Sequence, residues 1–203
     1  MKKQILIIHG GTAFTRYEDF LEYLKNKSID EPLADQPKGW KPWLREAFGE
    51  VAEVYLPSMP NKQNAKYAEW KLWFERHLEF LRDGAILIGH SQGGIFLAKY
   101  FTENNLPISI RALYLIAAPI GPDDFGVEDG GDFVFEKSRS PVFSEKIKDI
   151  YIFHSRDDPV VPYAHALQYK EALPAAQIVT FEDKGHFIIE EFPELVAHIK
   201  ALS

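Results

Sequence analysis

The chain has 203 residues, 46% hydrophobic and 26% charged, with a formal net charge of −7 and no cysteine. This size and balance suit a single domain over 1–203 with a substantial core, and the negative charge, without any Lys/Arg cluster, argues against a nucleic-acid surface. Lack of cysteine removes disulfides, thiolate metal sites and a cysteine nucleophile together, and no apolar run approaches the ~18 residues of a membrane span.

Met1-Lys2-Lys3 has the charge of a secretory leader, but the apolar run Ile5-Leu6-Ile7-Ile8 is short and ends in His9-Gly10. It reads as the first strand, near 4–9, and a cytoplasmic location is expected. A helix is expected near 17–27, then a loop over 28–40 carrying Pro32, Pro37 and Gly39, a helix near 41–48 and a strand near 51–56. In 64–82, Ala65, Ala68, Trp70, Leu72, Trp73, His77, Phe80 and Leu81 alternate with charged positions at helical spacing, and Asp83-Gly84 supplies a stop. Trp40, Trp43, Trp70 and Trp73 read first as core packing, with the walls of an acyl pocket as the alternative. A strand near 85–90, a helix near 92–103 and a strand near 111–117 follow. The irregular segment 119–142, rich in Gly, Pro and acidic residues, either covers a site or makes a surface excursion. Strands near 149–154 and 176–182 and helices near 162–173 and 192–202 complete the chain. Such alternation predicts an α/β fold: a three-layer α/β/α sandwich around a mostly parallel sheet of about six strands, with right-handed crossovers.

Gly89-His90-Ser91-Gln92-Gly93 fits G-x-S-x-G. The bare pattern matches about one chain in fifteen of this length by chance; the flanks supply the specificity. A buried strand precedes it and a largely apolar helix follows, so Ser91 must occupy a very tight turn that lifts its hydroxyl above the sheet edge. A serine hydroxyl needs a base within hydrogen-bond reach, usually a histidine steadied by a carboxylate. On this scaffold the order is Ser, then Asp or Glu, then His. Asp157 and Asp158 follow the strand near 149–154, and His186 follows the strand near 176–182, both at the carboxyl edge where open α/β sheets keep their sites. Asp158 is preferred as orienter because Pro159 holds it extended; Asp157 is expected to face water or cap the loop. Of the seven histidines, His9, His77, His90, His154, His165 and His198 take structural readings, leaving His186 as base. Backbone amides of Gln92 and of Gly11, with Thr12 as second choice, are the expected oxyanion donors.

Together these residues resemble the α/β-hydrolase superfamily, and within it the small cap-less branch that includes retinoblastoma-binding protein 9 and related bacterial serine hydrolases. The resemblance runs from about Gly39 to the end, through Gly39-Trp40…Trp43, Leu56-Pro57…Met59-Pro60, Ile88-Gly89-His90-Ser91, Asp157-Asp158-Pro159…Pro162, Asp183-Lys184-Gly185-His186-Phe187 and Glu191-Phe192…Leu195. It implies a minimal fold without a separate cap domain, a triad of Ser91, Asp158 and His186, and ester hydrolysis on small activated acyl substrates without metal or cofactor. The expected partner is a small-molecule acyl substrate, with neither nucleic acid nor membrane. Two alternatives stand beside esterase action. One is a peptidase or amidase on small aminoacyl substrates, its amine anchored by the acidic loop from Asp123-Asp124 to Asp132. The other is a catalytically weak binding protein on the same scaffold.

Overall fold

A computed structural model of the chain describes residues 2–29, 39–121, 129–140, 147 and 149–202. Six strands, β1 (Lys3–Ile8), β2 (Ala52–Tyr55), β3 (Ala85–His90), β4 (Ile110–Ile116), β5 (Ile150–Ser155) and β6 (Gln177–Phe181), form one sheet in the order β2-β1-β3-β4-β5-β6. Every pairing is parallel. The inner strands β1, β3, β4 and β5 read as largely apolar runs because the sheet is buried there on both faces, and the two-residue side-chain period divides them between two cores. Leu6, Ile8, Leu87, Leu113, Leu115 and Ile152 join one cluster. Their neighbours Ile5, Ile7, Ile86, Ile88, Tyr114 and Phe153 join the other.

Helices cover both faces. On the first lie α3 (Tyr67–Leu78), α4 (Gln92–Glu103) and α5 (Ala164–Ala172); on the second lie α2 (Trp40–Phe48) and α6 (Pro193–Ala201). A further helix among the described residues, α1 (Tyr17–Asn26), buries no residue. Trp40 and Trp70 are buried in opposite cores, whereas Trp73 is 44% exposed. Each expected strand and helix is found, most within a residue or two of its expected bounds. The exception is the helix expected over 64–82, which spans only Tyr67–Leu78. At its start the Ala65 amide donates to Thr12 O, and the Tyr67 amide donates to the Asp132 carboxylate. At its end Phe80 and Leu81 close tighter turns onto His77 O and Leu78 O.

Part of the loop expected over 119–142 is fastened to the core. Phe133 and Phe135 are buried, the Phe133 ring meets Tyr67, Trp70 and Phe96, and Asp129 accepts the Thr15 amide. Residues 30–38, 122–128 and 141–142, on which the rest of both loop expectations falls, lie outside the described residues.

From β1 the chain steps one way to β2 and then returns to the other side of β1 for β3, which opens a crevice at their carboxyl ends. There α4 presses onto the sheet. A Cβ at Gly93 would lie 2.3 Å from Ile8 O, and one at Gly89 would lie 2.4 Å from Gly93 O. These neighbours are main chain and cannot rotate away. Gly93→Ala should therefore cost about 2 kcal/mol or more in urea unfolding. Gly121→Ala, where a Cβ meets nothing within 4 Å, should stay within about 0.5 kcal/mol of wild type. Equal stability of the two variants would refute this account of the turn.

Candidate active site

Ser91 has φ 53° and ψ −123°, a conformation that costs an L-residue energy unless its surroundings impose it. They do so here. Ser91 N–H donates to Ile116 O at 2.9 Å, Gly94 N–H donates to Ser91 O at 2.8 Å, and a Cβ at Gly10 would lie only 3.1 Å from Ser91 Cβ. The hydroxyl carries no hydrogen bond among the described residues and is partly exposed. Gln92 opens α4, so its amide has no carbonyl partner within the helix.

His186 Nδ1 lies 2.9 Å from Asp158 Oδ2 and 3.1 Å from Oδ1. The Asp158 side chain is wholly buried, and its Oδ1 also accepts the Val160 and Val161 amides at 2.8 and 2.9 Å. A carboxylate oxygen accepts here, so Nδ1 donates to Asp158 and Nε2 lies on the far side of the ring from it. The His186 loop is fastened from several directions. His90 Nε2 donates to His186 O at 2.9 Å, and Trp40 donates through its indole to Phe187 O at 3.0 Å and through its amide to Ile189 O at 2.9 Å. Asp157, exposed at the loop as expected, has a further role: its Oδ1 accepts from Ser155 Oγ and from the Gly185 amide at 2.9 Å, while Ser155 Oγ accepts the Lys184 amide at 3.0 Å. It thereby ties the loop after β5 to the loop after β6.

The structure thus gathers Ser91, Asp158, His186, Gln92 and the His9–Gly11 loop at one sheet edge. It does not supply Thr12 as a donor, because that amide already donates to Lys62 O at 2.8 Å. The Gly11 amide has no acceptor among the described residues; glycine is needed there because a Cβ would lie 2.6 Å from Lys62 O. Sequence reasoning missed the supporting roles of His90, Trp40 and Ser155. Only Ser155-Arg156-Asp157 carries a local signal, the hydroxyl and carboxylate spacing of a side-chain-closed turn.

The sequence profile of the serine hydrolase family matches residues 33–197. The chain belongs to the serine hydrolase family. It is 29% identical over 175 residues to serine hydrolase RBBP9 of Rattus norvegicus, covering 81% of this chain and 86% of that one. Its structure resembles the ydeN gene product from B. subtilis, with a TM-score of 0.74 and 17% identity over 99% of this chain and 98% of that one. It also resembles carboxylesterase CesB from Bacillus subtilis, with a TM-score of 0.60 and 12% identity over 99% and 83% of the two chains. At those identities the structural likeness shows the fold, that of the α/β-hydrolases.

Electrostatically, this serine hydrolase surrounds its site with neutral histidines. Burial pushes His90 well below the ordinary histidine value, with the charges of Lys41 and His186 adding to the effect. Burial also lowers His9, which donates from Nδ1 to Gly10 O at 2.6 Å and accepts the Met59 amide at Nε2 at 2.8 Å. His154 is lowered by burial too; its Nε2 donates to Val161 O at 2.8 Å and stands 3.7 Å from Asp158 Oδ2. Among the described residues no group of three His, Asp or Glu is placed to hold a metal ion, and no helix is long and apolar enough to cross a membrane. A histidine depressed in the folded state binds its proton first in the unfolded chain, so its stabilising contribution is present above the unfolded value near ~6.5 and lost as pH falls below it. Stability in urea should therefore drop by about 1 kcal/mol or more between about pH 7 and pH 5. Equal or greater stability at the lower pH would contradict the buried neutral state of His90.

Proposed function

We propose that this serine hydrolase cleaves small or medium acyl esters through an acyl-enzyme on Ser91, with His186 as base and then acid and Asp158 as orienter. The observation that carries this reading is the hydrogen bond from His186 Nδ1 to the buried Asp158 carboxylate, which leaves Nε2 as the only basic atom of that ring. As Ser91 Oγ bonds to the ester carbonyl carbon, its proton passes to His186 Nε2. The carbonyl oxygen becomes an oxyanion facing the amides of Gln92 and Gly11. Collapse breaks the carbon–oxygen bond to the alcohol, which leaves with the proton from Nε2. Water then repeats the sequence, giving up a proton to Nε2 and releasing the acid from Ser91. Asp158 stays ionised throughout and favours the imidazolium that forms on its neighbour.

Ser91 Oγ and the His186 ring share no hydrogen bond before substrate arrives, and such contacts commonly tighten only in the substrate complex. The amine anchor that an aminoacyl amidase needs has less support: the Asp129 carboxylate accepts the Thr15 and Gly131 amides, and Asp132 accepts the Tyr67 amide. Asp123 and Asp124 lie outside the described residues.

A fluorophosphonate probe should label the wild-type protein and leave Ser91→Ala unlabelled. Asp158→Asn should lower kcat by about 10⁴-fold, as loss of the orienting carboxylate does in other triads, whereas Asp157→Asn should cost less than about tenfold because Asp157 acts through loop position alone. Equal labelling of Ser91→Ala, or the larger loss at Asp157, would defeat the assignment.

A further inference from the structure

Lys41 has no part in the chemistry above. It is the second residue of α2, and its ammonium sits 4.7 Å from the centroid of the Trp40 ring. That ring meets His90, the residue before Ser91, at 5.9 Å. With Trp40, Phe187 and Ile189, Lys41 lines a cleft of about 160 Å³ that reaches the residue after His186. No carboxylate pairs with Lys41 among the described residues; Glu190 lines the same cleft without reaching ion-pair distance. A second cation, the exposed Lys62, is likewise unpaired among the described residues, and the charges of both lysines depress His9 beside the nucleophile.

In a chain of net charge −7, these two ammonium groups, unpaired among the described residues, bring positive charge close enough to act on His9, and Lys41 also acts on His90, the residue before Ser91. Burial pushes Lys41 down to about 8, so it remains largely protonated at neutral pH. A half-buried ammonium without a counter-ion bears a desolvation cost that an arriving anion relieves. The walls beside it are mainly apolar, with Pro42, Ile189 and the exposed Ile188 among them over the buried Trp40 and Phe187, so the cleft suits a short hydrocarbon segment ending in one compact negative group. A single ammonium acts as a point charge and matches a carboxylate without any further donor.

We propose that Lys41 selects ester substrates whose acyl chain ends in a free carboxylate, with the cleft between Trp40, Phe187 and Ile189 holding the methylenes. The proposal rests on Ser91 being the nucleophile and names the substrate class of that same site.

The test compares kcat/KM for mono-p-nitrophenyl glutarate with that for p-nitrophenyl butyrate. Wild type should favour the glutarate, and 0.5 M sodium chloride should erode that preference by screening. Lys41→Met should lower the glutarate-to-butyrate ratio about ten- to a hundredfold, the range expected for a lost charge-assisted contact, mainly through KM for the glutarate. Lys41→Arg should keep most of it. A wild-type ratio below one, a ratio insensitive to salt, or Lys41→Met with the wild-type ratio would overturn the proposal while leaving the Ser91 mechanism standing. Failure of wild type to hydrolyse either ester would instead strike the Ser91 mechanism, and the proposal with it.

Discussion

The contact between the first turn of α4 and the carboxyl ends of β1 and β3 governs the rest of this molecule. Main chain approaches main chain there so closely that glycine is required at 89 and 93. Those approaches force Ser91 into left-handed backbone and fix where α4 begins. The strain is local, but its support is distributed. The carbonyl of Ile116 on the next strand holds the Ser91 amide, and packed layers on both sides of the sheet hold α4 and β3 together. A strained residue persists only where its surroundings over-determine it, and the doubly buried sheet provides that rigidity.

The histidine loop is held by a different principle. It has little regular structure of its own, so its position comes from hydrogen bonds contributed by distant parts of the chain. His90 and Trp40 hold its carbonyls, while Asp157 and Ser155 hold its amides. Asp158 then sets the ring itself, and two further amides satisfy that carboxylate, so the buried charge is fully hydrogen-bonded. Burial lowers the neighbouring His90 and His154, which disfavours further positive charge beside His186.

Lys41 contrasts with these groups. The Asp158 carboxylate and the His186 ring are held by protein partners, whereas this ammonium rests against an indole with no counter-ion among the described residues. A partner supplied by substrate resolves that imbalance. It would also set the acyl preference of a fold whose catalytic parts alone do not distinguish one ester from another.

The sequence by itself determined the α/β class, the strand and helix order, and the serine, aspartate and histidine that the sheet carries to one edge. These features are written in local terms: apolar runs of strand length, the glycine spacing around Ser91, and the position of Asp158 and His186 just past successive strands. Tertiary structure alone decided where α3 begins, because Thr12 takes the Ala65 amide before it and Asp132 takes the amide of Tyr67 that opens it. It decided that the Thr12 amide is occupied by Lys62, that Asp157 ties two loops together, and that Trp40 and His90 support a histidine 146 and 96 residues away in the chain, Trp40 through the adjoining Phe187 at a separation of 147. It also left Lys41 over the Trp40 ring without a counter-ion among the described residues. Hydrogen bonds and charges joining residues so far apart leave no periodicity or spacing along the chain, since only the packed sheet brings the partners within reach.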